Sequence, residues 1–231
     1  MNKKAFRAVE NRLMHTLAAF LFLGLTTASA FATATPAESA SARVRIPNVL
    51  VLGDSISAGY GLRRTDAYPA LLSEKAASTG KRLHVINAGV SGDTTAGGLR
   101  RLGRLLDRRV DILLIELGIN DAFRGVPVVQ IESNLQAIID RTRARYPEAT
   151  VLIAGLQMPG YSRGDYLTDF GAMYVELARR NAAHLVPFFL EGVIGNPALN
   201  LPDMIHPNAG GQKVLAANIW PVLESALNRK S

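Results

Sequence analysis

At 231 residues, with 48% apolar and 19% charged side chains, the chain is long enough for one sizeable domain and too apolar to be a disordered polymer. It holds no cysteine, which excludes a thiol nucleophile, a disulfide framework, a thiolate metal site and a lipid-modified cysteine anchor. The formal charge is +7, of which residues 1–30 supply +3 from four basic residues and one acidic, leaving +4 elsewhere; so modest a surplus carries no nucleic-acid footprint, and no nucleic-acid partner is expected.

In chain order, Lys3, Lys4, Arg7 and Arg12 precede a charge-free run from Thr16 to Leu25 and then small residues ending Ala28-Ser29-Ala30, the pattern of a secretory signal. The apolar run is shorter than the ~20 residues a membrane span needs. We therefore expect a signal peptide over 1–30, a structureless small-residue lead-in over 31–44 and one domain over 45–231, exported to a bacterial periplasm or secreted. From residue 46 onward short β-type runs alternate with amphipathic segments. Strands are expected over 48–52, 83–87, 112–117, 150–154 and 184–189, and helices over about 66–79, 95–107, 127–144, 167–182 and 208–228. Near-continuous apolar strands alternating with helices predict an α/β fold, a three-layer α/β/α sandwich around a parallel sheet, with chemistry at the carboxyl ends of the strands.

The strand ends carry polar residues. Gly53-Asp54-Ser55-Ile56-Ser57 follows the first strand, and Ser55 is the candidate nucleophile, although Gly-Asp-Ser alone is also an ordinary turn or helix cap. The elbow of α/β-hydrolases needs glycine where Ser57 stands, which disfavours that fold. A serine hydroxyl needs a base. His15 falls in the signal, and His84 and His184 fall in or beside strands, which leaves His206. Asp203, three residues earlier in a proline-flanked loop, can orient the imidazole over one turn or merely cap that turn. Gly92 after the second strand and Asn120 after the third, with the Ser55 N–H, are candidate donors to an oxyanion.

Taken together, Gly-Asp-Ser-Ile-Ser at 53, Gly-Val-Ser-Gly-Asp-Thr at 89, Gly-Ile-Asn-Asp at 118 and Asp-Met-Ile-His-Pro-Asn at 203 resemble the ordered blocks of the SGNH hydrolases, also called the GDSL family. The resemblance spans about residues 46–228 and is nearest to the bacterial periplasmic acyl-thioesterases, lysophospholipases and arylesterases, on Gly118–Gly125 and Val186–Gly192. It implies a flavodoxin-like five-stranded sheet of order 2-1-3-4-5, Ser55, Asp203 and His206 as the triad, and Ser55, Gly92 and Asn120 as the oxyanion hole. It also implies no metal and no cofactor. Met204 departs from the glycine frequent after that aspartate, which bears on the shape of the loop.

The resulting expectation is a serine esterase acting on aryl esters, acyl thioesters or lysophospholipids through an acyl-serine intermediate. A deacetylase of cell-wall or exported polysaccharide and a non-catalytic binding protein on the same fold are the alternatives. Phe123, Met158 and Tyr161, with Ala122, Val126, Leu156 and Pro159, either line an acyl groove or simply pack the loops that follow the third and fourth strands. The arginines of Leu99–Arg109 allow weak contact with an anionic membrane surface, or form a solvated face.

Overall fold

The computed structural model describes residues 45–157 and 165–228, all within one compact unit. The expected signal, the lead-in, and Met158, Pro159 and Tyr161 lie outside the described residues.

The elements run β1 (Asn48–Gly53), α1 (Ser55–Ala58), a 3-10 turn (Arg64–Asp66), α2 (Tyr68–Ser78), β2 (His84–Gly89), α3 (Thr95–Leu105) and β3 (Ile112–Glu116). Then follow α4 (Ile119–Phe123), α5 (Val128–Arg145), β4 (Thr150–Ala154), α6 (Asp165–Arg180), β5 (His184–Val186) and α7 (Ala209–Asn228). The five strands form one parallel sheet in the order β2-β1-β3-β4-β5. Helices α2 and α7 pack together, while α3 packs on α5 and α5 on α6. Right-handed crossovers place the first pair on one face of the sheet and the other three on the opposite face.

Cover on both faces explains the unbroken apolar runs. Leu50, Leu52, Leu113, Ile115, Leu152 and Ile153 are all buried, each contributing about 1.5–3 kcal/mol relative to exposure. Register then places the chemistry. Gly53 at the end of β1 pairs with Gly89 of β2 on one side and with Glu116 of β3 on the other. The loops carrying Ser55, Gly92 and Asn120 therefore leave the sheet at one level.

The differences from expectation have local causes. β5 stops at Val186 rather than at residue 189, because Pro187 offers no N–H; the chain turns there and Phe189 donates to the Gly155 carbonyl instead. β2 runs two residues further than expected, to Gly89, whose missing side chain lets α1 settle on it: a Cβ there would stand 2.3 Å from the Ala58 nitrogen. The short helices α1 and α4 were not expected, being too brief to show a period of 3.6.

Candidate active site

The first strand ends on a glycine for a steric reason. A Cβ on Gly53 would lie 2.0 Å from Ser57 Oγ and 2.6 Å from Glu116 Oε2. Asp54, fully buried, then caps α1 by accepting the Ile56 N–H at 3.0 Å. Ser55 is the first residue of that single-turn helix, 8% exposed, and its N–H donates to no group among the described residues. The helix ends at Gly59, whose φ of 75° is the left-handed conformation a glycine allows.

The loop before α7 closes on itself. Leu201 N–H donates to the His206 carbonyl at 2.7 Å, and Asn200 bridges to Pro207. Inside it, Asp203 Oδ1 accepts the N–H groups of Ile205 and His206, each at 2.9 Å, while Oδ2 lies 2.7 Å from His206 Nδ1. These bonds hold the Asp203 carboxyl down to about 2. The other ring nitrogen, Nε2, lies 3.1 Å from Ser55 Oγ. Met204 takes φ 61° in this turn, the conformation that makes glycine the easier residue there.

Behind Ser55 lies a buried polar cluster. Glu116 Oε2 accepts the Ser57 hydroxyl at 2.6 Å and the Asp54 N–H at 3.3 Å, and Ser57 Oγ is also 2.7 Å from the Tyr68 hydroxyl. Ser57 stands where the α/β-hydrolase elbow has glycine, and its hydroxyl ties the turn after β1 to β3. Burial pushes the Asp54 carboxyl up to about 6 and Glu116 well above the usual carboxylate range. Glu116 Oε1 is buried without a hydrogen-bond partner among the described residues. Gln212 at the start of α7 donates to the Ile56 carbonyl at 3.0 Å and accepts from the Tyr68 N–H at 2.7 Å.

The two other loops reach the same place. Asn120 Nδ2 donates to Asp54 Oδ2 at 3.0 Å and to the Asp93 carbonyl at 2.9 Å. Arg101 holds the Asp93 carboxylate at 2.7 Å and the Gly53 carbonyl at 3.0 Å. Gly92 is exposed with φ 75°; its N–H donates to no group among the described residues, and its carbonyl accepts from Arg124 at 3.0 Å.

Of the sequence candidates, Ser55, His206 and Asp203 form one continuous chain of contacts, and Asn120 joins it through Asp54. Phe123 is 58% exposed at the end of α4, whereas Leu156 is fully buried and Ala122 nearly so; both belong to the core and not to a groove wall. His84 lies at the far end of β2, 3.0 Å from Asn48 Oδ1, and His184 opens β5. Two residues were missed in the sequence. Tyr60 stacks on the His206 ring, centroids 4.3 Å apart, and leaves no local signal. Glu116 did leave one: a lone acid inside the apolar run Ile112–Leu117 must find buried partners.

At the opposite, amino-terminal edge of the strands lies a cavity of about 500 Å³ lined by Arg45, Arg109, Asp111, Arg145 and Glu148 among others, with no serine or histidine in it. Among the described residues no group of three or more His, Asp or Glu side chains gathers as a metal site requires, and no helix is long and apolar enough to cross a membrane. Chemically, a hydroxyl in line with an imidazole whose far nitrogen faces a carboxylate can transfer an acyl group without a cofactor.

Residues 51–214 match the model of the GDSL-like lipase/acylhydrolase family. Esterase TesA of Pseudomonas aeruginosa is 41% identical over 180 residues, covering 78% of this chain and 89% of that protein. The Escherichia coli protein named thioesterase 1/protease 1/lysophospholipase L1 is 37% identical over 184 residues, 79% of this chain and 86% of its own length. Among solved structures, the psychrotrophic esterase EstA from a Pseudoalteromonas species, inhibited by monoethylphosphonate, superposes with a TM-score of 0.73 at 32% identity, covering 78% of this chain and 98% of its own.

Proposed function

Because the chain belongs to the GDSL-like lipase/acylhydrolase family and is a serine esterase, we propose that Ser55 is its nucleophile, His206 its general base and Asp203 the carboxylate that orients His206. The observation carrying this reading is the unbroken line from Asp203 Oδ2 through His206 to Ser55 Oγ, at 2.7 and 3.1 Å.

In the mechanism, Asp203, held ionised by its three hydrogen bonds, accepts Nδ1–H and so leaves the Nε2 lone pair facing Ser55. His206 takes the hydroxyl proton as Oγ attacks the acyl carbon, then gives it to the departing alcohol, phenol or thiol. A water molecule activated by the same nitrogen releases the acid from the acyl-serine. Among the described residues nothing accepts the N–H groups of Ser55 and Gly92, which leaves them to receive the oxyanion, whereas Asn120 gives both amide hydrogens to Asp54 and Asp93. Asn120 joins the oxyanion hole when substrate draws one of those bonds away.

The substrates are small acyl esters, acyl thioesters or lysophospholipids, the classes named in the relatives, with the exposed Phe123 bordering the acyl chain. The pattern of residues 1–30 supports export. Arg100, Arg104 and Arg108 remain exposed on and after α3 for weak attraction to an anionic surface, since Arg101 and Arg109 are bonded inward to Asp93 and Asp111.

The test is hydrolysis of p-nitrophenyl esters from acetyl to palmitoyl. Ser55→Ala and His206→Ala should each lower kcat by about 10⁶ without adding to one another, and Asp203→Asn by about 10⁴. Asn120→Ala should lower it about 10²–10³-fold. A phosphonate probe should label Ser55 and not the alanine variant. Wild-type activity that survives Ser55→Ala would overturn the assignment, and a profile confined to acetyl esters would remove the acyl-chain border.

A further inference from the structure

The base loop is closed by bonds of its own. Its internal bonds join Leu201 to His206, Asn200 to Pro207, and Asp203 to Ile205 and His206. Asp203, Met204 and Ile205 are all exposed. Toward the turn that carries Ser55 the loop presents the reacting pair itself, at 3.1 Å, and just beyond the loop Gln212 donates to the Ile56 carbonyl at 3.0 Å. The ring of Tyr60 lies on the His206 imidazole, with centroids 4.3 Å apart and planes inclined by 33°. The next residue adds a close approach, because a Cβ on Gly61 would stand 2.8 Å from Leu201 Cδ1.

Tyr60 is tied equally to the other partner. Its N–H donates to the carbonyl of Ser55 at 3.0 Å, just past the left-handed Gly59 that ends α1. One residue is therefore hydrogen-bonded to the nucleophile through its backbone and stacked on the base through its side chain. The ring is half exposed, and its hydroxyl makes no hydrogen bond among the described residues. A residue serving only to fill the core would be buried, and one serving as a proton carrier would have a partner for its hydroxyl.

We propose that Tyr60 is a positioning residue for the reaction, its ring face holding the His206 imidazole in register with Ser55 Oγ. The inference rests on the triad assignment above. During the cycle Nε2 must take a proton from Oγ, hold it while the tetrahedral intermediate forms, and give it to the leaving group. The Nδ1 bond to Asp203 orients the imidazole from one edge only, and at each transfer the ring can still swing about that bond. A ring against its face removes that swing, and the negative face of the aromatic system favours the transient imidazolium. The ring does this work, so phenylalanine should replace tyrosine.

The experiment measures kcat and KM on p-nitrophenyl butyrate for the full chain and for Tyr60→Phe, Tyr60→Leu and Tyr60→Met, with thermal melts of each. Tyr60→Phe should stay within about twofold of wild type, while Leu and Met should lower kcat about 10- to 100-fold with KM nearly unchanged and folding retained at the assay temperature. Methionine fills comparable space without a ring, so it carries the test if the leucine variant does not fold. Unchanged kcat in both ring-less variants would overturn the proposal. So would a rise in KM alone, which would make Tyr60 a wall of the substrate site, or an equal loss in Tyr60→Phe, which would transfer the role to the hydroxyl. An inactive wild type, or one indifferent to Ser55→Ala, would instead mark failure of the triad assignment.

Discussion

Asp203 does with two oxygens what a longer loop would need several residues to do: Oδ1 closes the turn and Oδ2 bonds the His206 ring, the proposed base. The turn carries a strained residue at its centre. Met204 sits at φ 61° and is 40% exposed, so it gives up conformational freedom without burying much surface in return. Met204→Gly should stabilise the fold by about 0.5–1 kcal/mol, the relief of left-handed strain less the extra freedom glycine has when unfolded. Met204→Val should shift the denaturation midpoint the other way, and equal midpoints for the two variants would contradict the strain assigned to Met204. The Asp203–His206 pair was legible in the sequence because three residues of separation is a local relation. Tyr60 was not, since its partner lies more than a hundred positions away and a tyrosine after Ala-Gly says nothing by itself.

Between elements, the decisive contacts are backbone against backbone. The end of β2 passes so close to the end of α1 that a side chain on Gly89 would meet the Ala58 nitrogen at 2.3 Å and the Ser57 carbonyl carbon at 2.7 Å. Gly89→Ala must push α1 off the sheet. It should cost about 1–3 kcal/mol by overpacking, and it should lower kcat more than stability alone explains, because the displaced helix carries Ser55. Enzyme kinetics at a temperature where the variant is folded would check this, and wild-type kcat there would refute it. β4 was legible to the residue because Thr150–Ala154 is a β-branched apolar run that ends before a glycine. β5 was not, because Phe188 and Phe189 extend its apolar run for a different reason: Phe189 packs in the core edge-on to Tyr68 after the strand has ended. Hydrophobicity marks burial, and only the hydrogen-bond ladder marks a strand.

For the whole molecule, the cost of the site appears as a pH dependence. Burial raises Asp54 to about 6 and Glu116 well above its ordinary range, so across the window from about 4 to above 6 the folded chain holds more protons than the unfolded one. Stability must then fall as pH rises through that window. Asp203, held down to about 2, works in the opposite sense but only below about 4. Glu116→Gln, which keeps an acceptor for Ser57, should flatten the decline in melting temperature between pH 4.5 and 7.5, and parallel curves for variant and wild type would refute a buried-carboxyl origin of that decline. The order of the sheet was legible only through the resemblance, since five apolar runs admit many orders and the residues alone rank none of them. Because the loop before α7 closes on itself, Asp203 and His206 are fastened to each other over three residues, while Ser55, the proposed nucleophile, stands 151 positions away. Motion of that loop leaves the carboxylate–imidazole bond intact and changes only what spans loop and turn, the Nε2–Oγ gap together with the Tyr60 ring contact. The catalytic apparatus then has in effect one hinge coordinate, and warming should silence the enzyme along it while the sheet is still intact.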